Sequence, residues 1–520
     1  MRRSTPFHAL LALAFSTSLT SAAEKVPLPA NRQAVLNAIT ASELKGDLSF
    51  LASDLLQGRY TPSPGLEIAA EFIASKFRAA GLEPGGDRDY FQMAPMVDRR
   101  MPPAQSELTF QTGGSAQAIT VSPDDITLAD SSQASKIERA PVLLVAAKDP
   151  DKLKDLPLAG YVIVVPQPDF GSLSDTEKSV TFDRMRSFDR AVAASGGVLE
   201  VTVSRSKPRP PRPRLIPPDQ QQPRVPSVVV VSEQLSKLLD HPSGAAGSTV
   251  SFAVPAPVDQ KALVKNVIGI LRGSDPVLKS TCVLLTAHYD HIGTIQTGAS
   301  LSQSTTGKDG DSIYNGANDD GSGTVSVIEI ARAISRLTPR PKRSIVFMTF
   351  FGEERGGLGS QYYGAHPVFP IDKTVADVNL EQVGRTDSTV GKQLNNASLT
   401  GFDYSTLTKF FEQAGRATGI KIYRDPEASD AFFTRSDNAS MAEQGVPAHT
   451  LTVAFDYPDY HALGDEWQKI NYANMAKVDR MIALGLLNIA DSPVAPVWNA
   501  RNPKTLPFRE AQKKSRPRSQ

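Results

Sequence analysis

Apolar residues in the second half of the chain form either short uninterrupted runs or longer stretches with helical spacing. Runs that are apolar throughout are typical of strands covered on both faces, as in parallel sheets. Helical spacing instead places apolar side chains on one face, as between residues 327 and 334. The pattern therefore predicts an α/β fold in which helices cover both faces of a mostly parallel sheet. The predicted strands are 267–271, 281–287, 344–351, 375–381 and 446–453, and further predicted helices are 404–417 and 474–489.

The first half of the chain begins with an amphipathic helix and then changes character. Residues 66–80 carry apolar side chains on one face and stop at Gly81, which predicts a helix packed on the same core. From residue 124 to residue 257, short Val-rich runs alternate with a helical stretch and with the Pro- and Arg-rich segment 207–218, which predicts an extended loop. We interpret 124–257 as a small inserted α/β domain. The parts of the main domain on either side of it are 24–123 and 258–499.

Both ends of the chain differ from these domains. Residues 1–23 have a basic start, an apolar middle and small residues at the end, which is the pattern of a secretory signal peptide. No later segment has the run of about 18 apolar residues that spans a bilayer. Residues 500–520 are basic and lack periodicity, which predicts a disordered tail. We therefore expect an exported protein without a membrane span.

Composition and cysteine content narrow the functional classes. A formal net charge of +1 over 520 residues creates no field that would attract nucleic acid, so we expect no nucleic-acid partner. Cys282 is the only cysteine, so no intramolecular disulfide can form, and its place in a predicted strand indicates an inert core thiol. An exported chain without disulfides fits a bacterial periplasm or the extracellular medium.

Side chains that can bind a metal follow the predicted strands at their carboxyl ends. In open α/β sheets these ends meet at one edge, so the side chains should converge. Histidines and several carboxylates at one place would repel each other unless a cation neutralised them. Imidazole and carboxylate ligands without a thiolate suit Zn²⁺ best, with Mn²⁺ or Co²⁺ as substitutes. The candidate segments after strands are His288-Tyr-Asp290-His291, Gly352-Glu353-Glu354 and Asn379-Leu-Glu381, and two more are Asn318-Asp319-Asp320, just before a helix, and Tyr460-His461, in a loop after the last strand.

The same segments, in the same order, resemble the zinc aminopeptidase family of the Aeromonas and Streptomyces type, which also contains glutamate carboxypeptidase. The resemblance extends to 48–54, to Gly58-Arg59 and to the insert, which is similar to a protease-associated domain. It covers nearly all of the chain between the signal peptide and the tail. The motifs are Ala287-His-Tyr-Asp-His291, Asn315-Gly-Ala-Asn-Asp-Asp-Gly-Ser-Gly323, Phe351-Gly-Glu-Glu354, Val378-Asn-Leu-Glu-Gln-Val-Gly384 and Asp459-Tyr-His461.

The resemblance implies a zinc exopeptidase fold and a site for two zinc ions. His288 and Glu381 would bind one ion, and His461 and Glu354 the other, with Asp319 bridging both. The family usually has Asp where this chain has Glu381, whose extra methylene alters the reach of the carboxylate. Three further residues would support the ligands. Asp290 would hydrogen-bond His288 and fix its tautomer, and Asp320 and His291 would assist the ligands beside them.

The implied activity is that of an exported metallo-aminopeptidase that acts on peptides with a free N-terminus. Glu353 would be the general base for a zinc-bridged hydroxide. Tyr460 resembles the family tyrosine that donates a hydrogen bond to the oxyanion. Surplus carboxylate at Glu353 and Glu381 would hold the α-ammonium group of the substrate.

Other functions remain open at this stage. A carboxypeptidase of the same fold would need a basic pocket, for which Arg435, with Asp437 nearby, is the nearest candidate. A glutaminyl-cyclase-like acyltransferase shares the fold but uses one zinc, and the full set of five ligands argues against it. A catalytically inactive relative, or a protein that only binds through its insert, would have no need of Glu353.

Overall fold

The computed structural model describes residues 27–113, 117–171, 173, 175–207, 211, 213–220, 224–240, 247–298 and 310–515. The predicted signal peptide, 1–23, lies outside these residues, as does part of the predicted loop 207–218. Within the described ranges, no helix is both long enough and apolar enough to cross a bilayer.

The described strands form two large sheets and two short two-stranded sheets. In the first half of the chain they are β1 (Glu83–Pro84), β2 (Phe91–Arg100), β3 (Leu108–Gln111), β4 (Ala118–Val121), β5 (Ile126–Asp130), β6 (Ser135–Leu144), β7 (Val162–Pro166), β8 (Leu199–Ser204), β9 (Arg214–Ile216), β10 (Ser227–Val231) and β11 (Thr249–Val254). In the second half they are β12 (Val258–Leu271), β13 (Cys282–His288), β14 (Gly293–Thr294), β15 (Ile313–Tyr314), β16 (Ser344–Phe350), β17 (Thr374–Leu380), β18 (Asp387–Ser388), β19 (Gly391–Lys392), β20 (Asn396–Leu399), β21 (Lys421–Tyr423) and β22 (Ala448–Thr452).

The helices lie against these sheets. Local sequence sets their ends, as in the helix predicted at 66–80, where Ser63 accepts a hydrogen bond from the Leu66 N–H and Pro64 occupies the first turn. The described α-helices are α1 (Ala30–Ala38), α2 (Ala41–Leu51), α3 (Pro64–Ala79), α4 (Asp175–Ala194), α5 (Glu233–Asp240), α6 (Ile295–Gly298), α7 (Gly323–Ser335), α8 (Leu358–Ala365), α9 (Leu407–Thr418), α10 (Ala428–Ala431), α11 (Asn438–Glu443), α12 (Tyr472–Asp491) and α13 (Leu506–Ser515).

The main sheet has the strand order β21-β20-β22-β17-β13-β16-β12-β2-β9, with β1 added beside β12. Its centre, β22-β17-β13-β16, is parallel, and β12, β2, β9 and β20 join it in antiparallel fashion. β13, β16 and β17 are buried at every position, because helices cover both faces. Successive residues of β13 belong to opposite cores: Leu285 packs with α3, α7 and α12, and Leu284 packs with α8 and α11. The predicted fold class is confirmed.

The second sheet has the order β4-β3-β11-β6-β7-β8-β10-β5 and encloses its own apolar core. It begins at β3, so the predicted N-terminal boundary at residue 124 is wrong. β3 and β4 are only four residues long each, too short for a clear alternating pattern. The insert also returns one strand to the main sheet, since β9 pairs with β2.

The predicted disordered tail is also corrected. Residues 506–515 form α13, which is anchored by Phe508 stacking on Trp498 with ring centroids 5.1 Å apart. The sequence pattern missed this helix because a single large apolar side chain holds it in place, and one side chain creates no periodicity. Only residues 516–520 of the tail lie outside the described structure.

The buried carboxyl group of Asp377 should give the stability of the protein a specific pH dependence. Asp377 lies on β17 and accepts a hydrogen bond from the Thr286 hydroxyl at 2.9 Å, and burial raises its pKa to about 7. In the unfolded chain an Asp ionises near pH ~3.9, so between these values only the unfolded state loses the proton. The stability contributed by protonated Asp377 is therefore present at low pH and is lost as the pH rises, by about 1.4 kcal/mol per pH unit.

We expect Asp377→Asn to remove this slope. The free energies of unfolding of wild type and variant can be measured by urea denaturation at pH 5, 6 and 7, with chelator present so that metal binding does not contribute. As the pH rises, the free energy of unfolding of the variant should increase relative to that of wild type. The exposed Asp240→Asn is the matched control and should show no such trend. A stability difference for Asp377→Asn that stays constant across these pH values would contradict the prediction.

Candidate metal centre

Three neighbouring parallel strands bring the candidate residues to one edge of the main sheet. β13 ends at His288, β16 leads into Glu353 and Glu354, and β17 leads directly into Glu381. Gly352 makes the turn after β16 with φ 67°, a value that favours glycine. Asp319 comes from the segment before α7, where its peptide bond to Asp320 is cis, and His461 comes from the loop after β22.

A first group of ligand atoms forms around His288. The distance from His288 Nε2 to Asp319 Oδ1 is 3.4 Å and that to Glu381 Oε1 is 3.6 Å. These atoms all lie within 4.8 Å of one another, close enough to share one ion. The structure thus brings together the three residues that the sequence predicts for one metal.

A second group forms around the other oxygen of Asp319. His461 Nε2 lies 3.0 Å from Asp319 Oδ2 and 3.2 Å from Glu354 Oε1. His291 Nδ1, which the sequence suggested only as a supporting group, lies 2.8 Å from the same Glu354 oxygen. Since Asp319 directs one oxygen to each group, its position is that of a bridging carboxylate.

The ligand atoms fit a cation because they are buried without other partners. His288 Nε2, His291 Nδ1, Asp319 Oδ2 and Glu354 Oε1 make no hydrogen bond in the described structure. Buried polar atoms are normally hydrogen-bonded, and unpaired ones need a specific explanation. An ion in each group would satisfy all four atoms and offset the repulsion among the carboxylates.

Asp320 and Asp465 fix the backbone around Asp319. Asp465 accepts hydrogen bonds from the Asn318 and Asp319 N–H groups at 3.0 and 3.1 Å, and from the Tyr457 hydroxyl at 2.9 Å. Asp320 accepts from the backbone N–H groups of His288, Gly323 and Gln382. Asp320 therefore has the supporting place proposed from the sequence, whereas the sequence gave no local signal for Asp465.

Asp290 lies beside His288 but also supports the base. Its carboxylate is 3.5 Å from His288 Nδ1, and its backbone carbonyl is closer, at 3.2 Å. The carboxylate instead accepts hydrogen bonds from the Glu353 N–H at 3.1 Å and from the Thr61 hydroxyl at 3.0 Å. Asp290 thus connects the position of His288 to that of Glu353.

Glu353 faces a cavity above the two groups. Its Oε2 lies 3.9 Å from His288 Nε2, so the carboxylate borders the first group without belonging to it. Burial raises the pKa of Glu353 well above its ordinary value, and the nearby carboxylates of Glu381 and Glu354 raise it further. Tyr460 lines the same cavity and stacks on His461 with ring centroids 4.0 Å apart.

The far wall of the cavity is aromatic. Phe432 and Phe455 lie 5.5 Å apart, and the exposed guanidinium of Arg435 packs over the Phe432 ring at 4.5 Å. Asp437, predicted to be a pocket residue beside Arg435, is buried and is not among the residues that line this cavity, so its role in substrate binding stays a prediction. Asp437 is the N-cap residue of α11, and the sequence does not reveal that its side chain is buried.

Comparison with known proteins shows similarity to one peptidase family. Residues 266–485 match the model of the family described as Peptidase family M28. This segment holds every candidate metal ligand and is similar to that family, so the predicted family resemblance is confirmed. The protease-associated character of the insert is not part of this match and stays a prediction.

Individual relatives agree with the family assignment. Leucine aminopeptidase 1 of Sclerotinia sclerotiorum is 30% identical over 190 residues, covering 33% of this chain and 46% of the relative. The chain spans only 21% to 46% of the length of the first four curated relatives, which include a vacuolar membrane protease of Tuber melanosporum.

Two solved structures share the fold over most of their length. An aminopeptidase from Aneurinibacillus sp. strain AM-1 aligns with TM-score 0.56 and 18% identity, over 90% of this chain and 97% of that one. A structure titled as a zinc aminopeptidase from Bacillus subtilis aligns with TM-score 0.50 and 17% identity, over 91% and 98%.

Proposed function

We propose that this chain is an exported metallo-aminopeptidase that removes N-terminal residues from peptides and uses two zinc ions. One observation carries the proposal: two groups of buried ligand atoms share Asp319, and Glu353 lies beside them facing a cavity. The family match and the name of the Sclerotinia relative support peptide hydrolysis. Export rests on the signal-peptide pattern of residues 1–23.

The donors favour zinc as the ion. They are imidazole and carboxylate groups, and Cys282, the only cysteine, lies buried within the sheet. Mn²⁺ or Co²⁺ would accept the same donors. Two ions so bound would polarise the scissile carbonyl and lower the pKa of a water between them. The Glu381 side chain reaches the first group despite its extra methylene, which supports a place for both ions.

The residues around the ions supply proton transfer and hydrogen bonding. Glu353, held by the bond from its N–H to Asp290, accepts the proton of the attacking water and returns it to the leaving amine. Its mostly buried setting suits a group that must both take and release a proton near neutral pH. Burial and the surrounding carboxylates raise the pKa of Tyr460 well above its ordinary value, so its hydroxyl keeps its proton and donates to the developing oxyanion.

The charges of the cavity favour a substrate with a free N-terminus. Asp319, Glu353 and Glu381 contribute carboxylates to its lining, and these attract an α-ammonium group. Arg435 is the cation that would serve a carboxypeptidase, but it is exposed and packs on Phe432. The two ligand groups around Asp319 likewise favour a two-ion hydrolase over an acyltransferase that uses one zinc.

A substrate panel with metal removal tests the function. We expect hydrolysis of aminoacyl-p-nitroanilides, loss of that hydrolysis after chelation, recovery on adding Zn²⁺, and no cleavage of the N-acetylated analogues. Peptides with a blocked N-terminus and a C-terminal Glu or Asp form the second arm. Hydrolysis that persists without metal would refute the metallo-enzyme, and cleavage confined to the second arm would assign a carboxypeptidase.

A further inference from the structure

His291 occupies an unusual position for a residue outside the predicted ligand set. Its side chain is fully buried, and Nδ1 points into the group formed by Asp319, Glu354 and His461. Nδ1 lies 2.8 Å from Glu354 Oε1 and 3.9 Å from Asp319 Oδ2. His291 Nδ1 and Glu354 Oε1 are both buried without an assigned hydrogen-bond partner, as is His291 Nε2. Two unpaired ligand atoms this close together are what two ligands of one ion would present.

Four of the six separations among these ligand atoms lie around the value for a tetrahedral zinc site. Bonds of about 2.0–2.1 Å place tetrahedral ligand atoms about 3.3 Å apart. In this group the separations are 2.8 Å and 3.9 Å from His291 Nδ1, and 3.0 Å and 3.2 Å from His461 Nε2. These values lie on both sides of the expected one, so small movements would complete the coordination.

The backbone holds the His291 ring where it is. The His291 N–H donates to the Arg59 carbonyl at 3.2 Å, and the ring packs on Gly316 so closely that a Cβ there would lie 2.4 Å from its Cγ. Gly316 has φ 57°, a conformation that also favours glycine. The loop is thus shaped to seat an imidazole beside Glu354.

We propose that His291 is a fourth protein ligand of the ion bound by Asp319, Glu354 and His461. That ion would have four protein ligands, and the ion held by His288, Asp319 and Glu381 would have three. The four-ligand site should therefore bind its ion more tightly, and it could hold the water shared by the two ions only as a fifth ligand. This inference depends on the proposed function in one respect only, because both require that this centre binds metal. It predicts stepwise loading, with the first equivalent of metal entering the four-ligand site.

Metal titration distinguishes a ligand from a positioning residue. In wild type, calorimetric titration of the metal-free protein with Zn²⁺ should resolve two equivalents of unequal affinity. His291→Ala should weaken the tighter equivalent by more than ~100-fold, beyond the 10–100-fold typical when a group that only orients a ligand is removed. His288→Ala should weaken the other equivalent, and the exposed His366→Ala should change neither.

Two further readouts keep the proposal falsifiable. X-ray absorption of protein with one equivalent of zinc should count two imidazoles in wild type and one in His291→Ala. His291→Asn retains a donor toward Glu354, so it should fail to restore affinity if His291 is a ligand. Circular dichroism confirms that each variant is folded.

The outcomes separate this proposal from the proposed function. Wild-type affinity in His291→Ala, full rescue by His291→Asn, or one imidazole at the first zinc of wild type would each overturn the fourth ligand while leaving the two-ion enzyme standing. Failure of wild type to bind zinc would refute both.

Discussion

Replacing Glu353 by glutamine is expected to lower kcat by about 10³–10⁴-fold without changing the zinc content of the protein. Glutamine keeps the size of the side chain and the backbone hydrogen bond to Asp290, but it cannot take a proton from the attacking water. General acid–base catalysis by one residue contributes roughly 10²–10⁴-fold. The upper part of that range applies because Glu353 would both accept the proton and return it to the leaving amine.

Steady-state kinetics on an aminoacyl-p-nitroanilide, with metal analysis of the same samples, measures this effect. Glu443→Gln, at an exposed position at the end of α11, is the matched control and should retain wild-type kcat and zinc content. If Glu353→Gln kept more than a tenth of the wild-type kcat, Glu353 would not be the base. A parallel loss of zinc would instead make it a metal-binding residue.

The sequence predicted those parts of the structure whose burial is uniform. β13, β16 and β17 are buried at every position, so their apolar runs stand out, and a parallel sheet directs their carboxyl ends to one edge. That rule brings together the segments that contain His288, Glu354 and Glu381, and the family resemblance selected these residues within them. Asp319 and His461 lie before a helix and in a loop, where no periodicity marks them, and their roles as ligands came from the family resemblance.

The remaining features depend on contacts between distant segments. His291 is three residues after His288, and only the turn packed on Gly316 directs its ring toward Glu354. Asp465 lies far along the chain from the Asn318 and Asp319 N–H groups that it binds. A loop residue whose partners are backbone groups elsewhere leaves no pattern in its own neighbourhood, so the structure was needed to reveal these roles.

Arg59 is another residue whose partners are backbone groups in distant segments. Replacing Arg59 by methionine is expected to lower the free energy of unfolding by roughly 3–5 kcal/mol. The side chain is 1% exposed, and its guanidinium donates to the carbonyls of Leu51, Tyr289, Asn315 and Gly316 at 2.6–2.9 Å. Each buried carbonyl left unpaired costs about 1–3 kcal/mol, partly recovered by relaxation and by water. Breaking a buried charged network costs about 3–5 kcal/mol.

The four carbonyls belong to segments that build the metal centre. Leu51 ends α2, Tyr289 follows the ligand His288, and Asn315 and Gly316 precede the bridging Asp319. Arg59 therefore ties the N-terminal helices to two ligand loops at once. We expect Arg59→Met to weaken zinc binding as well as folding, because the spacing of His288 and Asp319 depends on the same hydrogen bonds.

Urea denaturation and zinc titration of Arg59→Met test both effects. Methionine has a similar length and the same lack of preference for the positive φ of 49° at this position, so backbone strain does not differ between wild type and variant. Arg59→Lys retains the charge but not the planar set of donors, and should recover only part of the loss. The exposed Arg336→Met controls for loss of charge. A variant within about 1 kcal/mol of wild type would show that the carbonyls find other partners, since a typical hydrogen bond contributes about that much.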